Sequence, residues 1–447
     1  MKAFHAYDIR GIYNQDFNRE DAYKIGFFLP ELLKTNKILV GRDVRISSPE
    51  VYEALSRGIR DAGADVYNAG ITTTPMIYYL TAKFGFDASV MITASHNGKE
   101  YNGMKVSRSN ALPVGYAEGL NKLEEMIRQA VRVFAEPGKE IDFEKHGDYL
   151  AFLQGFRNNV IDTLDVTIDC SNGMAALFIK DLMPENTHLL YDEPDGNFPN
   201  HEANPLNPEN VVDLQKAVVA NKSDIGVIFD GDADRVMFVD EQGTFISPDL
   251  MIAVLGHHFM DGNEEVRVLQ DIRTSKAVSE YLNKIGQADV HTWRVGRAFA
   301  APKLRDIDGL WGGELAGHYY FKDFYYSDSG LLAMLLILEV VATFKTKGIC
   351  VSELIGKIKA YANSGEINFR IEDKQGAMDA VKTYFEQHDS PTRFLDFDGY
   401  RLEFEDWWFN IRPSNTEPYL RLIVEARSEK ILNERMEIIR KIISEFE

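Results

Sequence analysis

Ala88-Ser89-Val90-Met91-Ile92-Thr93-Ala94-Ser95-His96-Asn97-Gly98, running on through Lys99-Glu100-Tyr101-Asn102-Gly103-Met104-Lys105, decides how the chain is read. Ala88 to Thr93 is small, β-branched or apolar, the composition of a buried strand, and the sequence turns polar where that strand must end. Open α/β sheets bind ligands beyond the carboxyl ends of their strands. Ser95 therefore has the address of a reactive hydroxyl, with His96 beside it and Lys105 one short loop on. Taken alone, Ser95 to Gly98 reads as an Asx or Ser turn beside a solvated lysine. Two further polar stretches reverse that reading, because each supplies something Ser95 lacks.

Working outward, strands alternate with helices of ordinary length. An amphipathic helix spans 21–33, and a strand over 37–41 runs into the charged loop Arg42-Asp43-Val44-Arg45. Ser48-Pro49 starts a helix that Gly63 ends, and a strand at 65–68 precedes a helix over 75–84. This alternation predicts βαβ units on a mainly parallel sheet. A helix over 116–134 and the turn Glu136-Pro137-Gly138-Lys139 set a first boundary at 141. The pattern restarts over 142–245, with a helix at 148–161 and strands at 165–169, 188–191 and 223–229. It restarts again over 246–361, with a strand at 267–270, a helix at 275–285 and the strand Leu310-Trp311. The apolar run 331–338 is too short to cross a bilayer and reads as one buried helix. In the last block, strands 401–404 and 407–411 flank a short turn, so 362–447 reads as a separate α+β domain.

At 447 residues the chain exceeds one core and predicts three or four domains. A formal charge of -20 with 45% hydrophobic residues and a mean hydropathy of -0.25 describes a soluble protein. It lacks the basic field that nucleic acid or an anionic membrane requires, so neither is an expected partner. An anionic ligand must then be met by arginines and lysines gathered locally. Two cysteines, Cys170 and Cys350, give no disulfide framework, and no signal-peptide-like run opens the sequence; both predict a cytoplasmic protein.

The strand 223–229 leads into Asp230-Gly231-Asp232-Ala233-Asp234-Arg235. Alternate residues of extended backbone point the same way, so three carboxylates converge and repel one another unless a cation joins them. The spacing predicts a hard metal with oxygen ligands and open positions, as Mg²⁺ requires when it also holds a phosphate oxygen. A solvated acidic turn is the bland alternative. Glu241 falls at the twelfth position of an EF-hand loop, but Arg235 stands where that loop needs glycine, and strands flank it.

Arg412-Pro413-Ser414-Asn415-Thr416-Glu417-Pro418, with Arg421 nearby, is either a proline-bounded turn or a dense set of donors for phosphate oxygens. Glu314 and His318, on the glycine-flanked loop Gly312 to His318, suit the neutral hydroxyls of a sugar.

These four stretches, in this order, resemble the phosphoserine, metal, sugar and phosphate loops of the α-D-phosphohexomutase family, on the side of its bacterial mannose-phosphate enzymes. The likeness covers nearly the whole chain. It implies an α/β protein of four domains around a central cleft: three similar mixed-sheet α/β domains (1–141, 142–245, 246–361) and a smaller α+β C-terminal domain (362–447). It implies a phosphoryl group on Ser95 and one Mg²⁺ held by that group with Asp230, Asp232 and Asp234. Arg10, His96, Lys105 and Arg235 would surround the transferring group, with Lys105 moving the proton. Arg273, Arg297, Glu314, Ala316 and His318 would meet the sugar. Arg412, Ser414, Asn415, Thr416 and Arg421 would hold the phosphate not being transferred.

The partners so implied are small hexose phosphates, with a hexose 1,6-bisphosphate as activator and no obligate protein partner. The expected reaction interconverts mannose 6-phosphate and mannose 1-phosphate; glucose or glucosamine phosphates are the alternatives within the family. Ala316, Arg273 and Arg297 stand where relatives often carry serine, lysine and histidine, which bears on the preferred sugar. The rivals from other classes are a metal-dependent phosphatase using Ser95 and a silent sugar-phosphate sensor. A lipase-like hydrolase is unsuited, since Ser95 lacks the Gly-x-Ser-x-Gly elbow.

Overall fold

Four sheets carry the chain in a computed structural model that describes residues 2–129, 132–262, 265–414 and 419–446. The first contains β1 (Ile9–Ile12), β2 (Lys37–Arg42), β3 (Asp65–Ile71), β4 (Ala88–Ile92), β5 (Tyr101–Arg108) and β6 (Glu140–Asp142). The second contains β7 (Val166–Asp169), β8 (His188–Leu190), β9 (Ile225–Phe229), β10 (Val236–Asp240) and β11 (Phe245–Ile246). The third contains β12 (Val266–Asp271), β13 (Ala288–Trp293), β14 (Trp311–Gly313), β15 (Tyr319–Phe321) and β16 (Ser327–Asp328).

Read from the antiparallel edge, their strand orders are β1-β5-β4-β2-β3, β11-β10-β9-β7-β8 and β16-β15-β14-β12-β13, with β6 added beyond β3. Each order has the same pairings, two antiparallel and then two parallel. Parallel pairings thus make up two of four in the second and third sheets and three of five in the first, where β6 also pairs parallel with β3. The return from each central strand is antiparallel because the loops 93–100, 230–235 and 314–318 are shorter than the roughly dozen residues a parallel crossover needs. As a result, the three polar loops occupy one equivalent place in three repeats, at the end of a central strand whose residues are all buried.

Local sequence explains most of the helices. Asn18 caps Arg19–Leu33 in a capping box with Asp21. That helix lies against Ser48–Asp61 through two glycines: a Cβ at Gly26 would fall 2.2 Å from the Leu55 carbonyl oxygen, and one at Gly58 2.1 Å from that of Tyr23. The helix expected over 148–161 ends at Gln154, with a separate 3-10 turn at Asn159–Thr163. The one expected over 116–134 begins with a wide turn in which Gly119 has a φ of 158°, and is described to Gln129. The apolar run lies within Gly330–Thr346, buried from Gly330 to Leu338. Among the described residues no helix is long and apolar enough to cross a membrane. Since β6 pairs with β3, the first sheet keeps the chain through Asp142.

The fourth sheet contains β17 (Ala362–Asn363), β18 (Ile367–Phe369), β19 (Arg393–Leu395), β20 (Tyr400–Glu403), β21 (Trp407–Pro413) and β22 (Leu420–Ala426), all paired antiparallel, with β20 and β21 forming the expected hairpin. It docks on the third sheet's domain. Arg401 Nη1 donates to the carbonyls of Ile272 (2.7 Å) and Thr274 (2.6 Å), and Lys276 Nζ to that of Phe404 (3.0 Å). At the centre of this joint, buried Glu425 accepts from Ser275 Oγ (2.6 Å) and Trp408 Nε1 (2.8 Å). Burial, with Asp249 nearby, pushes its carboxyl up to about 7 from an ordinary 4.5. The folded chain therefore holds this proton more tightly than the unfolded one. The cost of ionising Glu425 is absent below pH 4.5 and fully present above about pH 7, on the order of 3 kcal/mol. Glu425→Gln is expected to flatten the fall in Tm between about pH 4.5 and 7; parallel profiles for the two proteins would refute the assignment.

Candidate functional site

At the end of β4 the chain makes a strained turn. Ser95 has a φ of 50°, in the left-handed region, and its amide donates to Thr93 Oγ1 at 2.9 Å. The loop is gripped from below by Arg45, whose side chain is buried. Its Nη1 donates to the carbonyls of Gly98 (2.6 Å) and Tyr101 (3.1 Å), its Nη2 to those of Ser95 (2.8 Å) and Asn97 (2.7 Å), and its Nε to Asp43 (3.1 Å). One planar cation thus satisfies four loop carbonyls that would otherwise be solvated or orphaned.

Across the domain boundary, the loop after β9 approaches so closely that a Cβ at Gly231 would lie 2.5 Å from the Ser95 carbonyl oxygen. Ser95 Oγ donates to Asp230 Oδ2 at 2.8 Å, so the hydroxyl and the aspartate loop form one pocket. Carboxylate oxygens of Asp230, Asp232 and Asp234 lie within 4.8 Å of one another, all three residues being buried. Lys105, reaching over from β5, donates to Asp232 (2.6 Å) and Asp234 (2.5 Å), and Thr74 Oγ1 donates to Asp232 (2.5 Å). The Oδ1 atoms of Asp232 and Asp234 are buried without a hydrogen-bond partner. An all-oxygen donor set with two such orphaned atoms fits a hard divalent cation.

The charges in the pocket are strongly coupled. Burial, then Asp234 and Asp232, push the Asp230 carboxyl well above the ordinary range. Burial opposes the charge on Lys105, but Asp232 and Asp234 outweigh it and hold the ammonium well above its usual value. So held, Lys105 is an ammonium that donates hydrogen bonds to the two carboxylates and offsets their charge. Burial, then Arg235 and Arg10, keep His96 well below its usual value; it is a neutral imidazole 3.4 Å from Ser95 Oγ. Arg10 bonds Asp8 (2.5 Å) and Asn97 (2.8 Å).

In the third domain's loop, buried Glu314 accepts from the Gly296 amide (3.2 Å) and Tyr320 OH (2.6 Å). His318 donates through Nδ1 to Asp328 (2.7 Å) and accepts at Nε2 from Arg235 Nε (3.0 Å). His318, Asp234 and Asp328 could also form a metal cluster, but His318 and Asp328 are already committed to each other and to arginines. Toward the fourth domain, Arg273 pairs with Asp271 (2.7 Å) and lies 3.8 Å from Glu366, which bonds Arg421 at 3.2 Å; Arg412 pairs with Asp398 at 3.2 Å.

All four domains open onto one cleft of about 1070 Å³. Arg10, Ser95, His96, Lys105, Asp234, Arg235, Arg273, Arg297, Glu314, Ala316, His318, Arg412, Ser414 and Arg421 line it, while Asp230 and Asp232 lie buried beneath. Asn415 and Thr416 fall outside the described residues. The guanidinium of Arg297, expected at the sugar, is bonded to Asp328 and to the Ala111 carbonyl. Arg45, Thr74 and Asp328 were not singled out from the sequence. Thr72-Thr73-Thr74 at the end of β3 carried a usable signal, a polar run at a strand's carboxyl end.

The sequence matches the family described as phosphoglucomutase/phosphomannomutase in four successive parts: alpha/beta/alpha domain I at residues 1–132, domain II at 147–243, domain III at 247–361 and the C-terminal domain at 366–442. A protein of Vibrio cholerae named phosphomannomutase is 34% identical over 100% of this chain and 99% of its own. One of Xanthomonas campestris named phosphohexose mutases is 35% identical over 97% of each. The crystal structure of a phosphoglucomutase/phosphomannomutase family protein from Burkholderia thailandensis has a TM-score of 0.89 at 27% identity, covering 99% of this chain and 97% of that one.

The donor set gives a prediction that needs no turnover. Mn²⁺, titrated by electron paramagnetic resonance, is expected to bind Asp232→Asn at least about tenfold more weakly than the unsubstituted protein; equal binding would remove Asp232 from the ligand set.

Proposed function

The chain belongs to the phosphoglucomutase/phosphomannomutase family, and we propose that within it the protein interconverts mannose 6-phosphate and mannose 1-phosphate, as an isomerase that transfers a phosphoryl group. The observation that carries this reading is Ser95 Oγ at 2.8 Å from Asp230, on a cleft that arginines from the third and fourth domains also line. Such a cleft has room for a hexose with a phosphate at each end.

In the proposed cycle Ser95 carries a phosphoryl group. A sugar hydroxyl attacks it, the bond from phosphorus to Ser95 Oγ breaks, and a hexose 1,6-bisphosphate forms. The bisphosphate turns end for end and returns its other phosphoryl to Ser95, and the same compound would reload an empty serine as activator. The hydroxyl proton leaves through Lys105 while Ser95 Oγ gains one, so a lysine protonated at the outset relays without net change of charge. Arg10 and Arg235 neutralise the group in flight, and His96 serves as an uncharged hydrogen-bond partner. Mg²⁺ held by Asp230, Asp232, Asp234 and the serine phosphate would offset the phosphoryl charge.

Glu314, Ala316, His318 and Arg273 would meet the sugar. Arg412, Ser414 and Arg421, with Asn415 and Thr416, would clamp the distal phosphate. Closure of the cleft would keep water from the phosphoserine. The two cysteines, one buried and one exposed, favour a cytoplasmic setting. Relatives at similar identity carry the narrower and the broader name, so glucose and glucosamine phosphates stand as alternative substrates.

Incubation with mannose 1-phosphate, Mg²⁺ and a trace of hexose 1,6-bisphosphate is expected to yield mannose 6-phosphate, and Ser95→Ala to abolish the conversion. Accumulation of free mannose would instead assign a phosphatase, and faster turnover of glucose or glucosamine 1-phosphate would reassign the sugar. Arg412→Ala is expected to raise KM roughly tenfold or more with a smaller effect on kcat; an effect confined to kcat would remove Arg412 from ground-state phosphate binding.

A further inference from the structure

Arg297 begins the helix Arg297–Asp306 in the third domain. Its Nε donates to Asp328 Oδ1 at 2.9 Å, and its Nη2 to the Ala111 carbonyl at 2.7 Å and Ser327 Oγ at 3.2 Å. The guanidinium carbon lies 3.6 Å from the centre of the Tyr78 ring. Asp328 and Ser327 belong to the third domain; Ala111 and Tyr78 belong to the first. Further along the same helix, Arg305 Nη2 donates to the Asn110 carbonyl at 3.3 Å. Two arginines of one helix therefore hold a single turn of another domain. That turn is unusual in itself, since Asn110 and Ala111 have successive φ values of 57° and 56° without a glycine. Consecutive left-handed residues persist only where their surroundings enforce them. The turn follows directly on β5, the strand that carries Lys105.

In the other direction the contacts run on without a gap. Asp328, bonded to Arg297 through one oxygen, accepts from His318 Nδ1 through the other at 2.7 Å, and His318 Nε2 accepts from Arg235 Nε at 3.0 Å. An imidazole at position 297 could not reach Asp328 and Ala111 together; the fork of an arginine can.

We propose that Arg297 is a positioning residue and not a sugar ligand: it clasps the first domain to the third and, through Asp328, fixes the ring of His318, so that the serine loop, Lys105 and the sugar loop form one unit. The catalytic part of this inference rests on the function proposed above; the clasp does not.

The test compares Arg297→Met and Arg305→Met in the full chain by amide hydrogen exchange over residues 109–113 and by steady-state turnover of mannose 1-phosphate. Arg297→Met is expected to speed exchange across the turn and to lower kcat/KM roughly 10- to 100-fold through misplacement of His318. A fall in kcat/KM with exchange as slow as in the unsubstituted protein would make Arg297 a substrate ligand, and exchange and turnover both unchanged would remove the clasp; either overturns the proposal. Should Arg297→Met not fold, Arg305→Met, which leaves Asp328 untouched, is expected to speed exchange at 110–112, and unchanged exchange there overturns the clasp. If the unsubstituted protein turns over no hexose phosphate, the functional reading fails while the exchange data still decide the clasp.

Discussion

Three carboxylates are buried within 4.8 Å of one another, and the architecture follows from what makes that tolerable. A buried unpaired charge costs several kcal/mol. Most of the groups that offset it come from the first domain, the Lys105 ammonium and the hydroxyls of Thr74 and Ser95, joined by Arg235 of the acidic loop itself, 3.9 Å from Asp230. The second domain supplies the carboxylates and the first most of the compensation, so the acidic loop is not electrostatically complete alone. Gly231 allows the necessary approach, because any larger residue would drive a carbon into the Ser95 carbonyl. The Ser95 hydroxyl and the acidic loop are thereby held together by the protein's own contacts.

One hairpin connection, used three times, brings the remaining parts into range. In each of the first three sheets a buried central strand ends in a short loop and returns antiparallel. The backbone plan is the same, while the side chains differ: a hydroxyl with an imidazole in the first repeat, three carboxylates in the second, a carboxylate with an imidazole in the third. The chemistry is therefore divided among units that are topologically alike. The fourth sheet, antiparallel throughout, stands apart from this plan and docks through Arg401, Lys276 and Glu425.

What could be read from the sequence was what depends on local pattern. The strand before Ser95 is small, β-branched or apolar, Asp230, Asp232 and Asp234 alternate, and 331–338 is an unbroken apolar run; all three signals lie within a few residues. The contacts that could not be read are long-range. Arg45 looked like one charge in a charged loop, yet it reaches four carbonyls of residues 95–101. Thr74 meets Asp232 across a domain boundary, and Asp328 becomes meaningful only between Arg297 and His318. Local pattern pointed to mainly parallel sheets, and the mixed sheets were implied only by the family resemblance: helix-strand alternation was visible, but the short return after each central strand was read as a site and not also as a hairpin. Position 297 illustrates the limit of analogy, since arginine has enough reach to be drawn away to a neighbouring domain.

The left-handed backbone at Ser95 carries a consequence for which hydroxyl-bearing residue the position accepts. Threonine offers the same hydroxyl and phosphorylates as a serine does, but its branched β-carbon crowds the preceding carbonyl at a φ of 50°. The steric map of one peptide unit, more than any difference in reactivity between two alcohols, thus restricts which amino acid this position accepts.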